Sequence, residues 1–249
     1  MQVETGGLGR RPVADLRDLQ HLMRLSCPET FAIPFADLPD EVSYHRGRVL
    51  DQGDTATSVE FALENSLRAQ PCEMSDSRLL PRYTVYDEAL RREFPSLSGG
   101  TDRSQAITIR SGCKVLKDHG LIASYKWAYL VDDVLKWMLS GHGGVVLGID
   151  WHSAMDEPDD EGIIRVKGHH AGGLAIYAYG VCRSKGFINL FSAWGTWGGW
   201  KTRGKRDHIG CCKLPLEDLA LLFRGNAEAC TLQQVPYNAA HLNPSLRAP

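Results

Sequence analysis

Apolar positions recur with a helical period through the first half of the chain. Val59, Ala62, Leu63 and Leu67 fall on one face of a segment that begins at Ser58 and stops at Pro71, which predicts a helix over 58–70. The same pattern predicts helices over 15–25, 84–95 (Phe94 precedes Pro95), 107–119 (Gly120 as the capping residue) and 131–139. After residue 140 the period changes. Short runs at 145–149, 163–166, 174–179 and 187–191, punctuated by glycine, predict strands, and 214–223 predicts a closing helix. The fold class expected is α+β: a helical half followed by a β-rich half.

The remaining segments read as irregular. Residues 1–48 are rich in glycine and proline and read as an arm that wraps the core; 236–249 read as a polar, flexible tail. The acidic run Asp156–Glu161 lacks the glycine and terminal glutamate of a calcium-binding loop and reads as a solvated hairpin.

Composition narrows the class without naming a function. The 249 residues are 43% hydrophobic and 23% charged, as in ordinary globular domains. A net charge of -2 gives no argument for nucleic acid or a membrane surface as partner. No window carries eighteen uninterrupted apolar residues. The first residues have neither a basic nor an apolar leader segment, and seven scattered cysteines suit reduced thiols, so a cytoplasmic setting is expected. The pair Cys211-Cys212 would point to opposite faces of a strand and chelate poorly; no metal and no cofactor is expected, and no nucleotide-binding glycine motif is present.

The most informative segment is Asp51-Gln52-Gly53-Asp54-Thr55-Ala56-Thr57-Ser58-Val59-Glu60-Phe61-Ala62. It resembles the nucleophile segment of papain-like (C1) cysteine peptidases in the form bacterial members show, where Asp-Gln-Gly leads through a short turn to Ser-Cys and a buried helix. Further stretches resemble the same family in the same order: Arg11–Asp18, Leu80–Tyr83, Ser98-Gly99-Gly100-Thr101, Gly143–Ile149, Gly172–Gly180 and Ser192–Gly198. The resemblance implies two lobes around one cleft, with an N-terminal arm over 1–48, a helical lobe over 49–140, a β-rich lobe over 141–235 and a tail over 236–249.

It also implies what is missing. Ser58 takes the slot of the nucleophilic cysteine, Leu174 that of the histidine and Ser192 that of the asparagine; Gln52 alone matches, at the oxyanion slot. A nucleophile of this kind needs a base to take its proton, and leucine cannot serve. His169 and His170 lie just upstream, but taking His170 as the base shifts the strand register by four residues. The function this implies is a catalytically dead peptidase homologue that binds a small molecule or peptide in the former cleft. The alternatives are a repurposed enzyme, such as a cyclase or isomerase that positions its substrate there, and a hydrolase built on Ser58. The expected ligand-binding residues are Gln52, Asp54, Thr57, Ser58, Gly99, Gly100, His170, Leu174, Ser192 and Trp194, with Thr55 among the hydrogen-bonding groups around them. Glu60 is expected to face away from the cleft, towards a core arginine. A cleft with Leu174 and two small serines is expected to be roomier and drier than that of a protease.

Overall fold

A computed structural model describes residues 8–71, 73–97, 103–202 and 205–234. The helices are α1 (Met23–Ser26), α2 (Pro28–Ala32), α3 (Ser58–Arg68), α4 (Thr84–Glu93), α5 (Ile109–Asp118), α6 (Val131–Leu139) and α7 (Leu216–Arg224). The strands are β1 (Glu41–Ser43), β2 (Ile122–Ala128), β3 (Val145–His152), β4 (His170–Cys182), β5 (Phe187–Phe191), β6 (Trp200–Thr202), β7 (Lys205–Asp207), β8 (Cys211–Pro215) and β9 (Glu228–Gln234). The main sheet runs β2-β9-β3-β4-β5-β8, with β1 on the far end of β4, and its strand pairs are antiparallel.

Alternation along β4 divides the interior. Leu174, Ile176 and Ala178 join one core with Trp151, Ile188, Leu214 and α6. Ala175, Tyr177 and Tyr179 face the other way, into a core built from α3, α4 and α5. Helix α3 is buried on nearly every side, which is why its sequence is apolar beyond a single stripe. It crosses α5 closely: a Cβ placed on Gly112 would lie 2.5 Å from Leu63 Cδ1.

The elements match the sequence pattern in part. Helix α5 starts at Thr108, whose hydroxyl accepts from Ser111 N, and ends before Gly120 at φ +68°. The helix expected over 15–25 is broken. A 3-10 turn (Leu16–His21) gives way at Leu22, which is extended and bridges Trp127 of β2, before α1 begins. The strand expected at 163–166 is a single bridge, Ile163 to Lys213. Glycines 162 and 168, both at positive φ, bracket this stretch and leave it no ladder. In the acidic run, Asp159 closes an exposed turn by accepting from Glu161 N and Ile163 N, while Asp156 holds the indole N–H of Trp151. The tail expected over 236–249 lies outside the described residues.

Residues 8–18 are tied down by three acid–base joints. Arg10 meets Glu228 and Asp150, Arg11 meets Glu93, and Asp15 and Asp18 meet Arg110. No helix among the described residues is long and apolar enough to cross a membrane.

Candidate functional site

The loop 51–57 is shaped by its own polar groups. Gln52 donates its side-chain amide to Thr55 O at 2.7 Å, and the Thr55 hydroxyl donates back to Gln52 O at 2.6 Å. The Thr55 and Thr57 hydroxyls are 2.7 Å apart. The loop is stitched to the 192–195 segment by backbone bonds from Gln52 N to Ala193 O and from Gly195 N to Leu50 O. Ser58 opens α3 at the end of this loop and is 1% exposed.

The Ser58 hydroxyl oxygen accepts a hydrogen bond from Ala175 N at 3.2 Å. This contact places Ala175 of β4 beside the start of α3. His170 lies five residues before Ala175, ~16 Å away along an extended strand. It is exposed, across from His152, with its Nε2 3.8 Å from Asp150 Oδ1. Among the described residues no imidazole or carboxylate is hydrogen-bonded to the Ser58 hydroxyl.

Ser192 is buried, and its hydroxyl oxygen accepts weakly from Trp194 N at 3.4 Å. Trp194 is half-buried in an edge-to-face cluster with Trp151 and Trp197. Leu174 is buried, its side chain in the core that also holds Trp151. Thr57 is buried and Asp54 exposed. Gln52, Thr55, Thr57, Ser58, Leu174, Ser192 and Trp194 are therefore brought together, whereas Asp54 and His170 stand at the rim or beyond. Gly99 and Gly100 lie outside the described residues.

Glu60 is buried on the far side of α3, as expected, but its partners are not an arginine. Its carboxylate accepts from the backbone N–H groups of Tyr83 and Tyr86, and burial pushes its pKa up to about 7. Arg82, the nearest cation in sequence to that loop, lies instead over the Phe61 ring.

The feature that sequence reading missed is an extended strap, Leu8–Arg11, that bridges Gly173 and Ile107 beside the loop leading to Ser58. Gly9 N and Arg10 N both donate to Gly173 O, at 3.0 and 2.9 Å. On the opposite wall, Ile107 N donates to Gly9 O and Arg11 N donates to Ile107 O. Gly9 lies so close to the loop 51–57 that a Cβ there would sit 2.1 Å from Ala56 O. Leu8 packs against the core that contains Leu174, and a Cβ on Gly172 would meet it at 2.8 Å.

Arg10 reaches from the strap into a buried acidic pocket. Its guanidinium donates to Glu228 Oε1 at 3.1 and 3.3 Å and to Asn226 O, and lies 3.5 Å from Asp150 Oδ1. Burial raises the pKa of Glu228, and the charge of Arg10 opposes that rise. The cleft is therefore occupied rather than roomy. The signal for this was an arginine beside glycine in a stretch with no period of its own, which reads as loop.

No protein-family model and no curated protein matches this sequence. Solved structures do. Xylellain, a cysteine protease from Xylella fastidiosa, superposes with a TM-score of 0.66 at 16% identity over 95% of this chain and 99% of its own. Procathepsin B S9 from Trypanosoma congolense gives 0.62 at 11% identity over 94% and 88%. Procathepsin L2 from the larval midgut of Tenebrio molitor gives 0.59 at 12% identity over 92% and 78%. With helices on one side of the cleft, the antiparallel sheet on the other and α3 pointing its N-terminus between them, the chain has the papain-like cysteine protease fold.

Proposed function

We propose that this chain is a catalytically inactive papain-like protein whose former substrate cleft binds an extended peptide. The observation that carries the reading is the strap. Leu8–Arg11 is held by main-chain hydrogen bonds to both walls, to Gly173 on one side and Ile107 on the other, with one side chain buried in a charged pocket. Main-chain pairing of this kind supplies affinity and side-chain pockets supply selectivity when a strand-like peptide is bound.

The chemistry around Ser58 supports inertness. Its hydroxyl accepts a hydrogen bond from a backbone amide, among the described residues no base is bonded to it, and the amide of Gln52 turns back to its own loop. A serine without a base is a poor nucleophile, and in enzymes built on a triad the loss of the base costs orders of magnitude in rate. The α3 N-terminus and the loop amides remain as groups that favour a carbonyl oxygen.

Gly9→Val, which cannot fit against Ala56 O, should loosen the strap and open the cleft. The variant should bind a labelled peptide of residues 7–12 (Gly-Leu-Gly-Arg-Arg-Pro) saturably, and adding Ser58→Trp should abolish binding. Neither wild type nor variant should hydrolyse fluorogenic peptide amides. Turnover that Ser58→Ala removes would refute inertness; peptide binding indifferent to Ser58→Trp would move the site elsewhere.

A further inference from the structure

A second cavity, of about 570 Å³, opens at the far end of β4, on the sheet face that α3 covers near Ser58. Tyr179, on its wall, lies five residues beyond Leu174, ~16 Å along the strand, so this is not the cleft. Its volume falls within the range of small-molecule sites.

Three cations converge there: Arg46 from the segment after β1, Lys185 from the turn between β4 and β5, and Lys213 from β8. Among the described residues no carboxylate forms an ion pair with any of the three, whereas Arg10, Arg11, Arg24, Arg68, Arg92 and Arg110 each have one. Lys213 is half-buried; burial lowers its pKa, the nearby charges of Glu161 and Asp159 oppose that fall, and Lys185 adds to it. Its ammonium gives one proton to Glu161 O at 2.8 Å and lies 4.3 Å from the Trp200 ring centroid and 5.3 Å from that of Phe187. Arg46 lies over the rings of Tyr179 and Phe191, at 5.4 and 5.0 Å. Glu41 also lines the cavity, the one carboxylate to do so among the described residues.

Gathering like charges in a partly dry recess is unfavourable unless something of opposite sign enters. Aromatic walls hold cations in place and leave their remaining N–H groups free to bind. We propose that this cavity is a binding site for a small organic phosphate or sulfate ester with an aromatic or apolar body, its anionic head between Arg46, Lys185 and Lys213 and its body against Tyr179, Phe187 and Trp200. The site is separate from the cleft and does not depend on what the cleft does.

The probes are phenyl phosphate, inorganic phosphate and phenol, titrated into the full chain by calorimetry at low salt. Phenyl phosphate should bind at one site, inorganic phosphate more weakly, and phenol not at all. Lys213→Met and Lys185→Met should each weaken phenyl phosphate about tenfold, the worth of one charge-assisted hydrogen bond. Ser58→Trp should leave the affinity unchanged. The circular dichroism spectrum and urea midpoint of each variant establish that it is folded. No saturable binding of phenyl phosphate to wild type would overturn the proposal, as would folded Lys213→Met and Lys185→Met proteins that bind it as wild type does. Binding of phenol as tight as that of phenyl phosphate would equally overturn it, since the cations would then play no part.

Discussion

Replacing Arg10 with alanine tests the strap where it is most strongly held. The guanidinium is buried and answers Glu228, which is also buried, at 3.1 Å, and Asp150, which is more open, at 3.5 Å. Arg10→Ala strands the Glu228 carboxylate away from water. Breaking a buried ion pair from one side costs about 3–5 kcal/mol. The lower end applies here, because the stranded Glu228 can take up a proton.

That escape gives the effect a pH signature. Burial already raises the Glu228 pKa, and without Arg10 it rises further. A carboxyl whose pKa is higher folded than unfolded contributes stability that is full below the unfolded pKa and lost as pH rises through the folded one. The variant should therefore be close to wild type at about pH 4, near the pKa of a free glutamate, and far less stable at pH 8. Urea unfolding of Arg10→Ala, Glu228→Gln and the double variant across this range, with hydrogen exchange at Arg11 and Ile107, measures both stability and strap release. The double variant should recover at least about 1.5 kcal/mol relative to the sum of the singles. A loss under about 1 kcal/mol at pH 8, or no faster exchange at Arg11, would refute a load on this joint.

Glu60 should show its own dependence. With its pKa raised to about 7 by burial, wild type should lose stability relative to Glu60→Gln as pH rises from about 4.5 through 7, and a pH-independent difference in urea midpoints would contradict this. Gly112→Val should destabilise by about 1–3 kcal/mol, because the added Cβ alone meets Leu63 at 2.5 Å; an unchanged urea midpoint would mean that α3 and α5 do not cross there.

The sequence carried the elements with strong periodicity. Helix α6 and strand β5 fall on the residues expected, and α3 begins at Ser58 because its apolar face and the preceding polar loop are both explicit. Strands β2, β8 and β9 were not legible. IASYKWA and EACTLQQ mix polar and apolar residues with little contrast, and their pairing with each other supplies the order that their composition lacks. The start of the central helix and the strand that faces it were readable because a motif marked both, and Ala175 of that strand lies beside Ser58. The occupant of the cleft was not, because Leu8, Gly9 and Arg10 act through tertiary contacts with Ile107, Gly173, Asp150 and Glu228, remote in sequence.

Under the proposed function the cleft holds an extended, arginine-bearing segment and leaves it uncut. Calorimetry with the Gly9→Val variant compares the peptide of residues 7–12 with its counterpart carrying citrulline, neutral and of the same shape, at the position of Arg10. The arginine peptide should bind at least about tenfold tighter, as expected for charge-assisted hydrogen bonds to Glu228, and should be recovered intact by mass spectrometry. Equal affinity for the two peptides, no binding of either, or a cleaved product would contradict it.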